Sequence, residues 1–513
     1  MTLLATAASL VLLWGTGVPL GVPGEWEWPR LSYSDHGIAL AAIMVGLSAA
    51  AYVGFAWLAE RGLESAGRLG MFLRLMGLVV VGFGWLWGVQ GAAIDGIGLG
   101  KSSYVLFYPG PSGYFWRARY VETSLPTLLS GYEELLAERD YLHIGTHPPG
   151  LIAGWWLLLD VCHQSPGLVA AAEATMPESV ANSFELIRSS VRRDGREFNR
   201  ADAACLWIGI LGTQGLAALT VVPLYLWLRL RASRRVAWWT VLFWPLVPAV
   251  AVFLPKSDVL FPCLGMLTAW SWRWAWLRGH LWPGLLAGLT FAAGMLLSLA
   301  FLPIAALIGV QTLCDGWPGS GRGDAGVKPP DAGANPRGPV RWSLVSLLLV
   351  AGLIGFALPV AGMLRAGVNL LNVWRLNFEN HALFYDHNVR TWWKWVLVNP
   401  LELALAVGVP VLSIAIVSGM TSRPRSRFDW SGLRSSGGLA VAIVWGLLWL
   451  SGKNMGEAGR LWICLMPWVV AAGSGCWSRM TDDRSVAPLP NTLDAASPRR
   501  LGPAGCCWPR SSW

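Results

Sequence analysis

The sequence predicts an all-α integral membrane protein of about 12 transmembrane helices with a large outer-face loop bearing interfacial helices, and three observations carry that reading. Hydrophobic residues make up 54% of the 513 residues and charged ones only 13%, and with a mean hydropathy of +0.47 this lies outside the range of soluble globular chains. Apolar runs recur at the length, about 20 residues, that a helix needs to cross a hydrocarbon core of about 30 Å. Arginine and lysine collect in short clusters between alternate runs, as expected of loops on the cytoplasmic side.

In chain order the runs are 3–22, 38–59, 71–94, 206–228, 236–254, 259–276, 342–364, 395–417, 437–450 and 461–477. The stretch 281–313 is too long for one crossing and divides near Pro303, which brings the total to twelve. The first run has neither a basic leading segment nor a small-residue exit, so it reads as an uncleaved helix. The arginines of 61–68, 229–235, 278, 322–341 and 423–434 all fall on one side of such a chain, which is then the cytoplasmic side. A crossing at 149–162 would put the arginines after 228 outside, so that short run, flanked by Trp155 and Trp156, reads as re-entrant or interfacial.

The polytopic membrane domain spans 1–478 and contains one large outer loop, 93–203, with shorter outer loops at 256–258, 369–394 and 452–460. The Gly- and Pro-rich stretch 315–341 reads as a cytoplasmic linker and 479–513 as a disordered cytoplasmic tail. The net charge of +9 does not point to nucleic acid, because no basic face is continuous enough to follow a phosphate backbone. The eight cysteines show neither a zinc spacing nor a disulfide framework and read as small apolar packing residues. Internal repeats and a Gly-rich phosphate loop are absent from the sequence.

Polar chemistry is concentrated in the outer loops. In Asp140-Tyr-Leu-His-Ile-Gly-Thr-His-Pro-Pro-Gly150 two prolines forbid helical hydrogen bonding and force a turn that holds His143 and His147 in a non-helical pose. Their spacing of four would suit one metal on a helix, but Gly145 and the prolines argue for hydrogen bonding or proton transfer beside an anion. Upstream, 116–138 has the spacing of an amphipathic helix lying on the membrane, with Glu122 and the Glu133–Glu134 pair solvated. Lys256 and Asp258 fix a cation and a carboxylate at a helix boundary. His381 and Tyr385 belong to the second polar cluster, and Glu457 and Arg460 to the third, where Arg suits bidentate contact with phosphate. Acids, imidazoles and cations along one interface fit transfer of a group from a membrane-anchored phosphate: a carboxylate takes a hydroxyl proton and cations neutralise the departing phosphate.

At Thr146-His-Pro-Pro-Gly150, preceded by an outer loop, the chain resembles the GT-C superfamily of polytopic glycosyltransferases, most of all the bacterial branch related to protein mannosyltransferases and the lipid A aminoarabinose transferase. The resemblance implies a polyprenyl-phosphate sugar lipid as donor and an inverting transfer to an outer-face acceptor, whether glycan, lipid or protein. It implies Asp95, just past the third run, as the general base, with Asp140 and Glu122 as rivals. No cofactor is fixed by it, since a divalent cation serves some members and not others. The chain departs from the pattern in having a lone Asp95 where an acidic pair is usual, and in two additional helices before the expected first one. The expected location is the cytoplasmic (inner) membrane, with the site on its outer face among membrane lipids.

Competing readings are a polytopic transporter or flippase, a polymerase or ligase of membrane-linked polysaccharide, and a scaffold. Against the transporter, the runs are nearly free of charge apart from Glu402 and Arg74, whereas transporters place ionisable groups near the midplane.

Overall fold

The computed structural model describes residues 2–30, 35–93, 97–316, 342–420 and 437–477. The described residues are mostly helical, joined by turns and irregular segments, with one two-stranded hairpin in which Gly21–Val22 pairs antiparallel with Trp26–Glu27. Among the described residues four helices, Gly37–Glu60, Arg68–Gly91, Arg200–Arg229 and Ser343–Arg365, are long and apolar enough to cross a membrane. A bent pair, Trp392–Val407 with Val409–Gly419, makes a fifth, and five shorter apolar helices accompany them. The chain is thus an all-α protein built to lie in a membrane. Asp95, the linker 317–341, the arginines of 423–434 and the tail 478–513 lie outside the described residues.

Several apolar runs fold into more than a single rod. The run 3–22 is helical only to Gly15, because Pro19 cannot continue a helix, and the chain then enters the hairpin. Pro245 and Pro248 divide 236–254 into the helices Arg234–Val241 and Pro248–Val252. The long stretch 281–313 does divide, with Leu281–Leu297 and Phe301–Gly316 meeting at an extended Ser298. The run 395–417 turns through 103° at Gly408, whose φ of +91° is costly for a residue with a side chain. The amphipathic stretch 116–138 is three short helices, Tyr114–Tyr120, Leu125–Ser130 and Tyr132–Ala137, with Ser124 capping the second through the Thr127 amide. The expected re-entrant segment is the helix Gly150–Gln164, and 369–394, read as a loop, contains the helix Leu370–His387.

Two apolar cores stabilise the arrangement. One fills the bundle around Trp227, Trp238, Trp244 and Trp468. The other lies under the large loop, around Phe107, Phe115, Phe184 and Trp207. Each fully buried aromatic there contributes about 1.5–3 kcal/mol, enough to fix the short helices of that loop as one packed layer.

Two of the basic loops, 60–66 and 229–235, meet at one end of the bundle. Arg234 donates to the carbonyls of Glu64 and Ala66, and Arg235 pairs with Glu60 at 2.6 Å. At the same end Asp315 receives Arg273 at 2.9 Å and Arg231 at 3.6 Å. Arg273 is a buried charge within the run 259–276, additional to Arg74 and Glu402, and its guanidinium stacks over Trp227 at 4.2 Å. Arg74 caps the carbonyl end of the preceding helix through Ala59 and Arg61.

Candidate functional site

At the opposite end the chain places a polar cluster whose parts come from five segments: 140–150, 109–114, 256–258, 454–460 and, carrying His381, the helix Leu370–His387. The first is the 140–150 turn, which is non-helical up to the helix starting at Gly150. Asp140 accepts from the Leu142 amide at 2.8 Å, so its carboxylate caps its own turn. A Cβ on Gly145 would stand 1.9 Å from the Asp140 carbonyl, so only glycine lets the turn close. Tyr132 Oη donates to the His147 carbonyl at 2.8 Å, and Asn377 Nδ2 donates to the carbonyls of Gly145 and His147 at 2.8 and 3.0 Å. Asn380, one helical turn on, donates to Gly145 and Leu136 at 3.1 and 2.9 Å. Buried amides thus hold the turn from beneath.

The second segment is 109–114. The Gly110 backbone hydrogen-bonds His143, Lys256 Nζ donates to the Pro111 carbonyl, and the buried Tyr114 ring meets the His147 ring edge-on with centroids 5.7 Å apart. His147 Nδ1 is hydrogen-bonded to the His143 carbonyl at 3.0 Å and to Thr146 Oγ1 at 3.1 Å. That leaves Nε2 without a partner among the described residues, the nitrogen available to a ligand.

The third and fourth segments supply charge. Arg460 pairs with Glu457 at 3.0 Å and stands 4.0 Å from Asp258, and its Nε is buried without a hydrogen-bond partner. Tyr385 Oη accepts from the amides of Asn454 and Met455 at 2.8 and 3.3 Å, fixing the loop that ends at Arg460. Trp462 Nε1 donates to Asn454 Oδ1 at 3.0 Å and Glu402 accepts from the Gly459 amide at 2.7 Å, closing the same loop from the other side.

The electrostatics show how closely these groups share one space. Burial lowers His147 to about 4, with the Asp258 carboxylate opposing the fall. Burial lowers His143 to about 2, aided by Lys256 and Arg460. Burial likewise brings Lys256 down to about 8, with Arg460 beside it adding to the fall and Asp258 resisting it. His381 is lowered by burial and then by Lys453. The Tyr114 hydroxyl is pushed well up, first by burial and then by Asp258. Burial works against the Arg460 charge, but Glu457 and then Asp258 outweigh it and hold the guanidinium above its ordinary value. The cluster is therefore two cations, two carboxylates and imidazoles that are neutral at neutral pH.

Of the residues expected at the site, His143, His147, Lys256, Asp258, His381, Glu457 and Arg460 come together. Tyr385 and Asp140 serve the backbone of neighbouring loops. Asp95 lies outside the described residues. Glu122 is not solvated, since its half-buried carboxylate pairs with Arg117 at 2.6 Å, and Glu133 accepts from the Asn369 amide at 3.0 Å. Tyr114, Tyr132 and Asn380 escaped the sequence reading, because their roles rest on contacts to residues far along the chain. Among the described residues no three His, Cys, Asp or Glu side chains stand together as a metal site. No family model, curated protein or solved structure matches the chain.

Proposed function

We propose that the protein is a membrane glycosyltransferase that moves a sugar from a polyprenyl-phosphate donor to an acceptor hydroxyl at the outer face of the cytoplasmic membrane, with the about twelve crossings that this orientation needs. The observation that carries the reading is Arg460: a buried guanidinium whose Nε makes no hydrogen bond, though the Asp258 carboxylate stands 4.0 Å from it, close enough to the amine of Lys256 for the two charges to oppose each other. An anionic oxygen arriving there meets two cations, suited to a phosphate that gains charge as the sugar leaves, while His147, whose Nδ1–H is given to the His143 carbonyl, presents an unprotonated Nε2 that can accept a proton. Asp258 and Glu457 hold the guanidinium in aim. The acceptor proton goes to a carboxylate, a part the GT-C resemblance gives to Asp95. Asp140 and Glu122, its rivals, are committed to a turn amide and to Arg117.

Incubating purified protein with polyprenyl-phosphate sugars tests this: lipid phosphate should appear with wild type and not with Arg460→Ala. Absence of release across a panel of such donors would sink the reading.

One observation favours a second reading, a transporter. The helix pair bent by 103° at Gly408 carries the buried Glu402, whose Oε2 has no hydrogen-bond partner, and broken helices with buried carboxylates are a transport device. Solute uptake into proteoliposomes without a covalent product would decide for it.

A further inference from the structure

The helices Gly150–Gln164 and Arg200–Leu219 lie side by side and run in opposite directions, as three pairs show. His163 Nε2 is 3.1 Å from Asp202 Oδ1. Seven residues further along the second helix, a Cβ on Gly209 would touch the Trp155 ring, which belongs to the earlier part of the first. Between these pairs stand Cys162 and Cys205, 1% and 0% exposed, in one apolar core. The antiparallel pairing of the two helices turns the two thiols toward each other, close enough to interact. Nothing in the sequence joins them, since the turn, two helices and the Asn199 cap intervene. Other cysteines direct their thiols elsewhere: Cys464 faces the Ala300 carbonyl and Cys476 that of Ile414. A metal does not account for the pair, because no third ligand stands within reach among the described residues.

We propose that Cys162 and Cys205 form a disulfide in the protein as it stands in its membrane, stapling the helix that follows the His-Pro-Pro turn to the helix capped by Asn199. The pair lies at the end of the bundle that carries the candidate site, and the proposal rests on the reading of that end as the outer, oxidising side. The reaction is thiol–disulfide exchange with a disulfide-bearing oxidant of that compartment. The Cys162 thiolate attacks the oxidant's disulfide and displaces one of its thiolates. The Cys205 thiolate then attacks Cys162 Sγ, and the oxidant leaves as a dithiol with two electrons and two protons. Since both sulfurs are buried once the helices pack, oxidation occurs as the chain inserts, and the bond is then shielded from reductant.

The test uses the full chain in freshly isolated membranes, dissolved in denaturing detergent with a maleimide and no reductant, followed by peptide mass spectrometry. A cross-linked peptide joining Cys162 to Cys205, with Cys464 and Cys476 alkylated, is the expected result. Alkylation of both Cys162 and Cys205 overturns the proposal. The sidedness reading is separated by Glu134→Cys, an exposed position at the same end, probed on intact cells with a membrane-impermeant maleimide. If the introduced thiol labels while both native thiols are found alkylated, the disulfide alone has failed. If it is shielded, the orientation reading has failed, whichever state the two native cysteines are found in. In purified protein, reduction should lower the melting temperature by several degrees, and Cys162→Ser should abolish that difference.

Discussion

Arg460 stands 4.0 Å from Asp258, a guanidinium and a carboxylate brought side by side from segments about two hundred residues apart. Glu457 holds the same cation at 3.0 Å, yet its Nε keeps no hydrogen bond. On the proposed function this is the charge that the donor phosphate would meet.

Arg460→Ala should therefore cut turnover by about 10²–10³-fold, the range for loss of one group that stabilises developing charge, while the protein still inserts. Arg460→Lys should recover only part, since an ammonium lacks the planar fork. Release of lipid phosphate, measured alongside the membrane-extracted yield, checks both variants.

Asp95→Asn and Asp258→Asn should separate by kinetic signature. Loss of the base lowers kcat by about 10²–10⁴-fold with KM little changed. Loss of the carboxylate that aims Arg460 should raise KM for the donor first. Equal, kcat-only losses in both variants would assign Asp258 to the chemistry and not to positioning.

Gly145→Ala inserts a Cβ where the Asp140 carbonyl stands 1.9 Å away. The turn must shift, and a displacement near 1 Å can cost about 10²-fold in rate. Asn380→Leu should have a milder effect in the same direction, because Asn377 still holds Gly145 and His147. Limited proteolysis near 140–150 should show the loosening directly.

The pH dependence has a definite sign. His147 binds its proton at about 4 in the fold and at 6.5 when free, so between those values the unfolded chain holds more protons and stability falls as pH falls. Melting temperature should decline through that window, less so in His147→Gln. Activity should fall on the alkaline side as pH rises through about 8, where Lys256 loses its charge.

The membrane character and the apolar runs were legible because burial in lipid acts on composition and length alone. The candidate site was half legible: Lys256, Asp258 and Arg460 stand out because charges at run ends need partners. That these partners are one another is a long-range fact, as is the support of the His-Pro-Pro turn by Tyr132 and Asn380. The bend at Gly408 was hidden for another reason, since the residues on both sides of it are equally apolar and periodicity does not register a single positive φ. The Cys162–Cys205 contact was likewise invisible, two thiols each lost in its own apolar run.

Glu25, at the tip of the small hairpin, accepts from the Thr391 amide and the Trp395 indole, both at 2.8 Å, and pairs with Lys394 at 3.0 Å. Those bonds hold its carboxyl well below the usual range, at about 2, against the opposing pull of burial. The leading stretch of the chain is thereby latched onto the helix that carries Glu402. Any expression design that trims the first thirty residues removes Glu25 and with it this hold on the start of the helix that carries Glu402.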